Sequence, residues 1–365
     1  MKKRNIFLGM ILAFSLTSCF DMDKMPEGVL STAQPFSSTG EMRNYLDQFY
    51  QTGNPKYGDD KIKVSFGDGL RVHDFGAGGG SGIAGYDTHS DNMSASSVSS
   101  RLAGETTLSG ASKLTNYTAI RNLNFLLCNL GNCVEQGSPD YNQYVGEAYY
   151  FRAWYYYKMF VDYGPLTWVS TPLDPNEEEM RLPRDSRTVV ADSILADLDK
   201  AISYLGEQNN SASMRVHKDV ARALKSDVAL FEGTWEKYHK AKGDKFFDPA
   251  VTDEKIKNYF TVAANAAKEV MDRGVWRIYT TGNMQDDYRK MFQTTDLSGN
   301  PEVLWFKMYD GDQVGNNVNR YLNQGGGGVG VTASLIDDYL TIDGKPFVGS
   351  ARTEAKKVFG NELLS

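Results

Sequence analysis

The chain has 365 residues, 41% of them hydrophobic and 23% charged, which is enough for a substantial core and rules against global disorder. The formal net charge is −7, and no stripe of Lys and Arg interrupts the acidity, so nucleic acid is not an expected partner. Lys2, Lys3 and Arg4 precede an apolar run over residues 6–16. That run is shorter than the about 20 residues a bilayer span needs, and it has the length of a secretory hydrophobic region.

The run ends in Leu16-Thr17-Ser18-Cys19, which resembles the lipobox of bacterial lipoproteins, whose cysteine is acylated and becomes the mature N-terminus. The alternative is a plain secretory signal with Cys19 discarded. On the lipoprotein reading, removal of the signal peptide 1–18 takes away three positive charges and leaves the chain near −10. Each acyl CH₂ buried in the membrane then contributes about 0.8 kcal/mol to the lipid anchor. Residues 19–37 are acidic, polar and without apolar periodicity, so they read as a tether. Cys128 and Cys133 lack the second pair that a zinc site needs. They are expected to be two buried thiols, with Gly131 leaving open a helix break that would let them bridge.

Residues 39–50 predict a first helix, with Met42, Tyr45, Leu46 and Phe49 at helical spacing. From 51 to 110 periodicity is lost in Gly, Ser, Asp and Asn, a length of loop that is uncommon without function. Helices are predicted over 111–130, 141–163, 188–205, 219–238 and 256–271. Gly164 and Pro165 stop the second of these, and Ser186 caps the third. Residues 301–309, Pro-Glu-Val-Leu-Trp-Phe-Lys-Met-Tyr, form the clearest strand-like run. Successive amphipathic helices carrying Ala153, Ala221, Ala223, Ala263 and Ala266 predict a mainly α fold with little β. Its form is a tetratricopeptide-like α-α superhelix with long Gly/Ser-rich loops. The segment 147–166 poses one question, whether its rings are a ligand platform or a core. On a helix Tyr149, Tyr150, Phe151, Trp154, Tyr155, Tyr156, Tyr157 and Phe160 point in every direction, which predicts burial.

Several segments, in order, resemble the SusD/RagB-type nutrient-uptake lipoproteins. Glu147, Ala148, Arg152, Ala153 and Tyr156 stand where that family has Glu-Ala-x-x-x-Arg-Ala-x-x-Tyr, followed at 163–166 by Tyr-Gly-Pro-Leu, which resembles the family's Tyr-Gly-x-(x)-Pro-Leu exit. Residues 220–235, 259–279, 288–306 and 331–347 resemble its later helices, its Phe…Glu-Val strand and its Asp-Gly-x-Pro segment. The resemblance implies a SusD-like helical domain over 38–365. It is incomplete at the C-terminus, because members usually continue well beyond Asp-Gly-x-Pro. It also implies an outer-membrane lipoprotein facing the cell exterior, anchored at Cys19. Such a protein captures oligosaccharides, or peptides in some branches, for a partner TonB-dependent, SusC-like transporter. No catalytic step and no cofactor are implied.

Other chemical signals are weaker than their bland readings. Gly-x-Gly-x-x-Gly occurs at 80–85 and 325–330, but without the strand-turn-helix context of a dinucleotide site. His73, His89, His217 and His239 have no zinc-protease spacing and are expected to be exposed or capping. Asp310-Gly-Asp begins like a calcium loop, but no Glu closes it, so no metal ligand is assigned. Glycosidase chemistry needs two placed carboxylates, and no motif selects a pair. Sugar binding needs exposed rings beside planar polar groups, and two loops offer them, 71–92 and 309–324. Tyr86, Asp87, Arg320 and Tyr321 are the candidate ligand residues. The rivals are peptide capture on the same scaffold, a surface glycoside hydrolase and a pure protein scaffold.

Overall fold

The computed structural model describes residues 34–50, 91–94, 103, 105, 116–173, 182–283, 285–306, 330–341 and 343–346. Six helices make its body: α1 (Thr39–Tyr50), α2 (Asn116–Cys128), α3 (Pro139–Tyr163), α4 (Arg187–Tyr204), α5 (Lys218–Lys242) and α6 (Asp253–Asp272). Two short helices follow, α7 (Asp287–Gln293) and α8 (Ala333–Asp338). Strands β1 (Met93–Ser94) and β2 (Gly330–Val331) pair antiparallel. Each long helix from α2 to α6 packs on the next in sequence, and α1 lies against α3. Neighbour-on-neighbour packing of this kind defines a helical solenoid, so the tetratricopeptide-like expectation holds. No described helix is long and apolar enough to cross a membrane.

Local chemistry sets the helix ends. At α1, Glu41 N–H donates to Ser38 Oγ (3.3 Å) while Ser37 N–H donates to Glu41 Oε2 (2.9 Å), a reciprocal cap. At α3, Ser138 Oγ accepts from Tyr141 N–H, and Pro139 occupies the first turn, where its missing N–H leaves no bond unmade. The helix stops at Gly164, whose φ of 67° suits glycine best. Ser186 caps α4 as expected, and Thr252 caps α6.

One core runs through the stack from Phe36 to Ala263. Phe36 is fully buried against Tyr45 and Phe125, so the chain is already packed just ahead of α1. On α3, Tyr150, Phe151, Tyr155, Tyr156, Tyr157 and Phe160 are buried, and Tyr149 and Trp154 are half-buried. The aromatic segment is therefore the inside of the molecule. Two of its hydroxyls are partnered within the stack: Tyr156 Oη accepts from Val169 N–H (2.7 Å), and Tyr157 Oη donates to Asp227 Oδ2 (2.9 Å).

Charges inside the stack join its layers. Arg152 grips Asp197 of α4 through Nε and Nη2 (both 2.7 Å) and donates from Nη1 to Asn124 of α2 (2.8 Å). Arg215 grips Glu147 of α3 (2.8 and 2.6 Å) and reaches Asp47 of α1 (2.7 Å). Asp219 accepts from Arg222, Arg273 and Trp276. Glu147, Ala148, Arg152, Ala153 and Tyr156 are all buried, so this motif joins helices.

Three expectations are corrected. Residues 301–306 form turns, not a strand: Trp305 Nε1–H donates to Met214 O, Leu304 O contacts His217 Nε2, and Phe306 is buried. The run is apolar because it wedges against the stack, and among the described residues it has no partner strand. His217 is neither exposed nor a side-chain cap. It is buried and stacked on Trp276 at 5.5 Å, with its pKa lowered mainly by burial. His239 is half-buried and bonded to Asp244. Of the two cysteines expected to be buried thiols, Cys133 is buried but Cys128 is exposed at the end of α2; both are free.

Candidate functional site

The two loops selected for sugar chemistry are far apart in sequence, yet described residues next to them, 91–94 and 330–332, are joined. β1 follows the first loop directly, and β2 begins a few residues after the second. Their register sets Met93 opposite Val331 and Ser94 opposite Gly330. Thr332 completes the joint. Its N–H donates to Asn92 O (2.9 Å) and its Oγ1 to Asp91 O, while the same Oγ1 accepts from Leu335 N–H (3.1 Å) and so caps α8. Ser334 Oγ donates to Asp91 Oδ2 (3.5 Å). Two segments 240 residues apart are thus pinned by a ladder, a cap and a side-chain bond.

The surface beside the joint is apolar and accessible. Tyr339, which ends α8, is 63% exposed, and Val331 and Leu340 are exposed as well. Just beyond, Thr341 N–H donates to Lys345 O and Gly344 N–H to Thr341 O, with Gly344 at φ 74°, so the Asp-Gly-x-Pro segment is a tight turn. An exposed tyrosine ring offers an apolar face and a hydroxyl together, the pairing a pyranose needs. Tyr339 was missed as a candidate because its sequence neighbours read only as a helix end.

Tyr86, Asp87, Arg320 and Tyr321 lie outside the described residues, as do Cys19, His73, His89 and the calcium-like stretch at 310–315. Of the first loop, Asp91 and Asn92 are described, and both belong to the joint. Among the described residues, no group of three or more His, Cys, Asp or Glu could hold a metal ion.

Residues 84–230 match the SusD-like_3 family model, described as "Starch-binding associating with outer membrane". A SusD-like protein from Bacteroides fragilis NCTC 9343 is 21% identical with a TM-score of 0.60, over 85% of this chain and 54% of its own. A SusD-like carbohydrate binding protein from the same organism is 17% identical with a TM-score of 0.60, over 86% and 55%. A SusD superfamily protein from Bacteroides vulgatus ATCC 8482 is 16% identical with a TM-score of 0.51, over 82% and 62%. The chain spans about half the length of the first two. No curated protein matches it. The chain therefore carries a segment at 84–230 that is similar to the SusD-like_3 family, set in a helical body with the fold of SusD-like proteins.

Proposed function

We propose that this protein captures oligosaccharides at the cell surface and hands them to a TonB-dependent, SusC-like outer-membrane transporter, held to the membrane by a lipid on Cys19. The observation that carries the reading is the joint between β1 and β2. It pairs residues 93–94, just after one loop chosen for sugar-compatible residues, with residues 330–331, a few residues after the other, and the exposed Tyr339 follows at the end of α8. The family description and the carbohydrate-binding relative support the same ligand class. Affinity comes from ring stacking by Tyr86, Tyr321 and Tyr339, and from hydroxyl bonds to Asp87 and Arg320. The task is binding, with no catalytic step.

Calorimetric titration of the full chain in detergent against glycan and peptide panels tests this. A glycan is expected to give heat, and Tyr321→Ala and Tyr339→Ala are each expected to weaken it about tenfold, the scale of one lost stacking ring, with the melting temperature unchanged. Cys19→Ala is expected to leave the membrane fraction. Heat from peptides alone would move the ligand to the peptide reading, and release of shortened sugars would make the protein a hydrolase.

A further inference from the structure

His217, just ahead of α5, is 1% exposed and makes no side-chain cap. Its ring lies on that of Trp276 at 5.5 Å, with the planes 17° apart. Nε2 meets Leu304 O at 2.9 Å. A carbonyl only accepts, so Nε2 carries the hydrogen and Nδ1 is bare in the neutral ring. Nδ1 is buried and has no hydrogen-bond partner among the described residues. One nitrogen therefore fastens residues 301–306 to the stack, and the other has nothing to accept the hydrogen of a second proton. The rest of that segment is held by Trp305 Nε1–H on Met214 O (2.9 Å), by Arg277 N–H on Pro301 O (3.1 Å) and by Tyr279 N–H on Glu302 Oε2 (2.9 Å). Among these fastenings, His217 is the group whose charge changes nearest neutrality.

The charged groups on the elements packed around the ring are engaged elsewhere. Asp219 of α5 accepts from Arg222, Arg273 and Trp276. Glu207 lies 3.6 Å from Arg273 and 3.7 Å from Arg222, Arg215 is held by Glu147 and Asp47, and Glu302 by Tyr279. Lys218 and Arg277, beside His217 and Trp276 in the chain, add only positive charge. Burial lowers the imidazole pKa from the ordinary 6.5; the bond to Leu304 O opposes this and Arg273 adds to it. A proton on Nδ1 would leave a buried N–H unbonded near the Arg273 cation, whereas a ring turned out to water satisfies both nitrogens and gives up Leu304 O. We propose that His217 is an acid-operated latch, which holds 301–306 against the stack while neutral and lets that segment leave once Nδ1 is protonated. Because the opened ring binds the proton more tightly, the contribution of the latch is complete above the ordinary 6.5 and is lost as pH falls through the folded value. In the chain, 301–306 leads towards 309–324, so the latch stands at the root of a candidate ligand loop and operates whatever that loop binds.

Hydrogen exchange of the full chain in detergent, measured at pH 7 and pH 5 and corrected for the intrinsic pH dependence of exchange, tests it. Opening of 301–306 is expected to rise about tenfold on acidification, while the amides of α3 do not follow. His217→Gln offers Leu304 O an amide N–H and takes no proton at these pH values, so it is expected to abolish the acid response whatever protection it starts from. His217→Phe keeps a ring on Trp276 without a donor and is expected to open the segment at both pH values. In the unaltered protein, NMR titration of the four histidines is expected to show one imidazole with a midpoint below 6.5 that coincides with the midpoint of the exchange response. Equal protection at the two pH values, an acid response that survives His217→Gln, a segment still closed in His217→Phe, or four imidazoles that all titrate at or above 6.5 overturns the latch and leaves glycan capture standing. A loss of protection that spreads through α3 belongs to the whole fold and overturns it as well.

Discussion

Glu232 and Glu236 lie one turn apart on α5, both buried, and share the guanidinium of Arg187, whose Nε meets Glu232 Oε2 at 2.7 Å. Glu232 Oε1 and Glu236 Oε2 find no other partner among the described residues. A single proton held between the two carboxyls satisfies both oxygens and avoids setting two charges against one cation. Burial pushes Glu232 up to about 7; Arg187 pulls it down and Glu236 raises it further. Its folded pKa lies above the ordinary 4.5, so the folded chain keeps a proton that the unfolded chain releases. That contribution, on the order of 3 kcal/mol, is complete below the ordinary value and is lost as pH rises through the folded one. Urea midpoints are therefore expected to fall between about pH 5 and pH 8, and Glu232→Gln is expected to remove most of that slope. The Arg152–Asp197 pair shows the opposite case, a buried charge with a dedicated partner. Asp197→Ala strands the guanidinium and should cost about 3–5 kcal/mol, whereas Lys268→Ala, which breaks an exposed pair with Asp272, should cost under about 0.5 kcal/mol. Urea denaturation separates the two. Glu147 and Arg152 stood out in the sequence as part of a motif, but their partners Arg215 and Asp197 are 68 and 45 residues away, and only folding identifies them.

At the scale of elements, the helices were legible because each had an apolar period and an end signal. Residues 39–50 match α1 at both ends, and Ser186 and Gly164 act where their chemistry placed them. The strand-like run at 301–306 was not legible as turns. A short apolar stretch is the same string whether it pairs with a strand or plugs a gap between helices, and period alone cannot separate the two. Close helix approach was read from alanines, yet one close approach rests on a glycine. A Cβ on Gly146 would sit 2.7 Å from Leu205 Cγ and 2.9 Å from its backbone N, where α3 meets the end of α4. Backbone cannot yield as a side-chain tip can, so Gly146→Ala should lower stability by about 1–3 kcal/mol despite its better helix propensity. Gly131, with nothing within 4 Å of its Cβ position, is the control, and Gly131→Ala should leave the thermal midpoint nearly unchanged. Equal midpoints for the two variants would show that the α3–α4 contact tolerates a methyl group.

At the scale of the molecule, composition pointed to two loops, but nothing in either announces the other. Their joint is a two-residue ladder with Thr332 bridging to Asp91 and Asn92, and such distant pairing leaves no local period to read. The joint also bears on function. Loops anchored at separate places would grip a sugar chain independently, and losses from one ring in each would add. Under the proposed capture reading, loops tied together through the joint would act as one surface, and removing a ring from either would alter the footing of the ligand on the other. Tyr86→Ala, Tyr321→Ala and the double variant, titrated with one oligosaccharide, are therefore expected to be non-additive, with a coupling of about 0.5–3 kcal/mol. Severing the joint with Thr332→Val removes the side-chain bonds to Asp91 and Asn92 while keeping the side-chain shape. In that background the coupling should shrink toward zero, even where overall binding survives. Additive losses in the unaltered protein would mean that the two loops hold separate parts of the ligand, and that the pairing of β1 with β2 serves the fold alone.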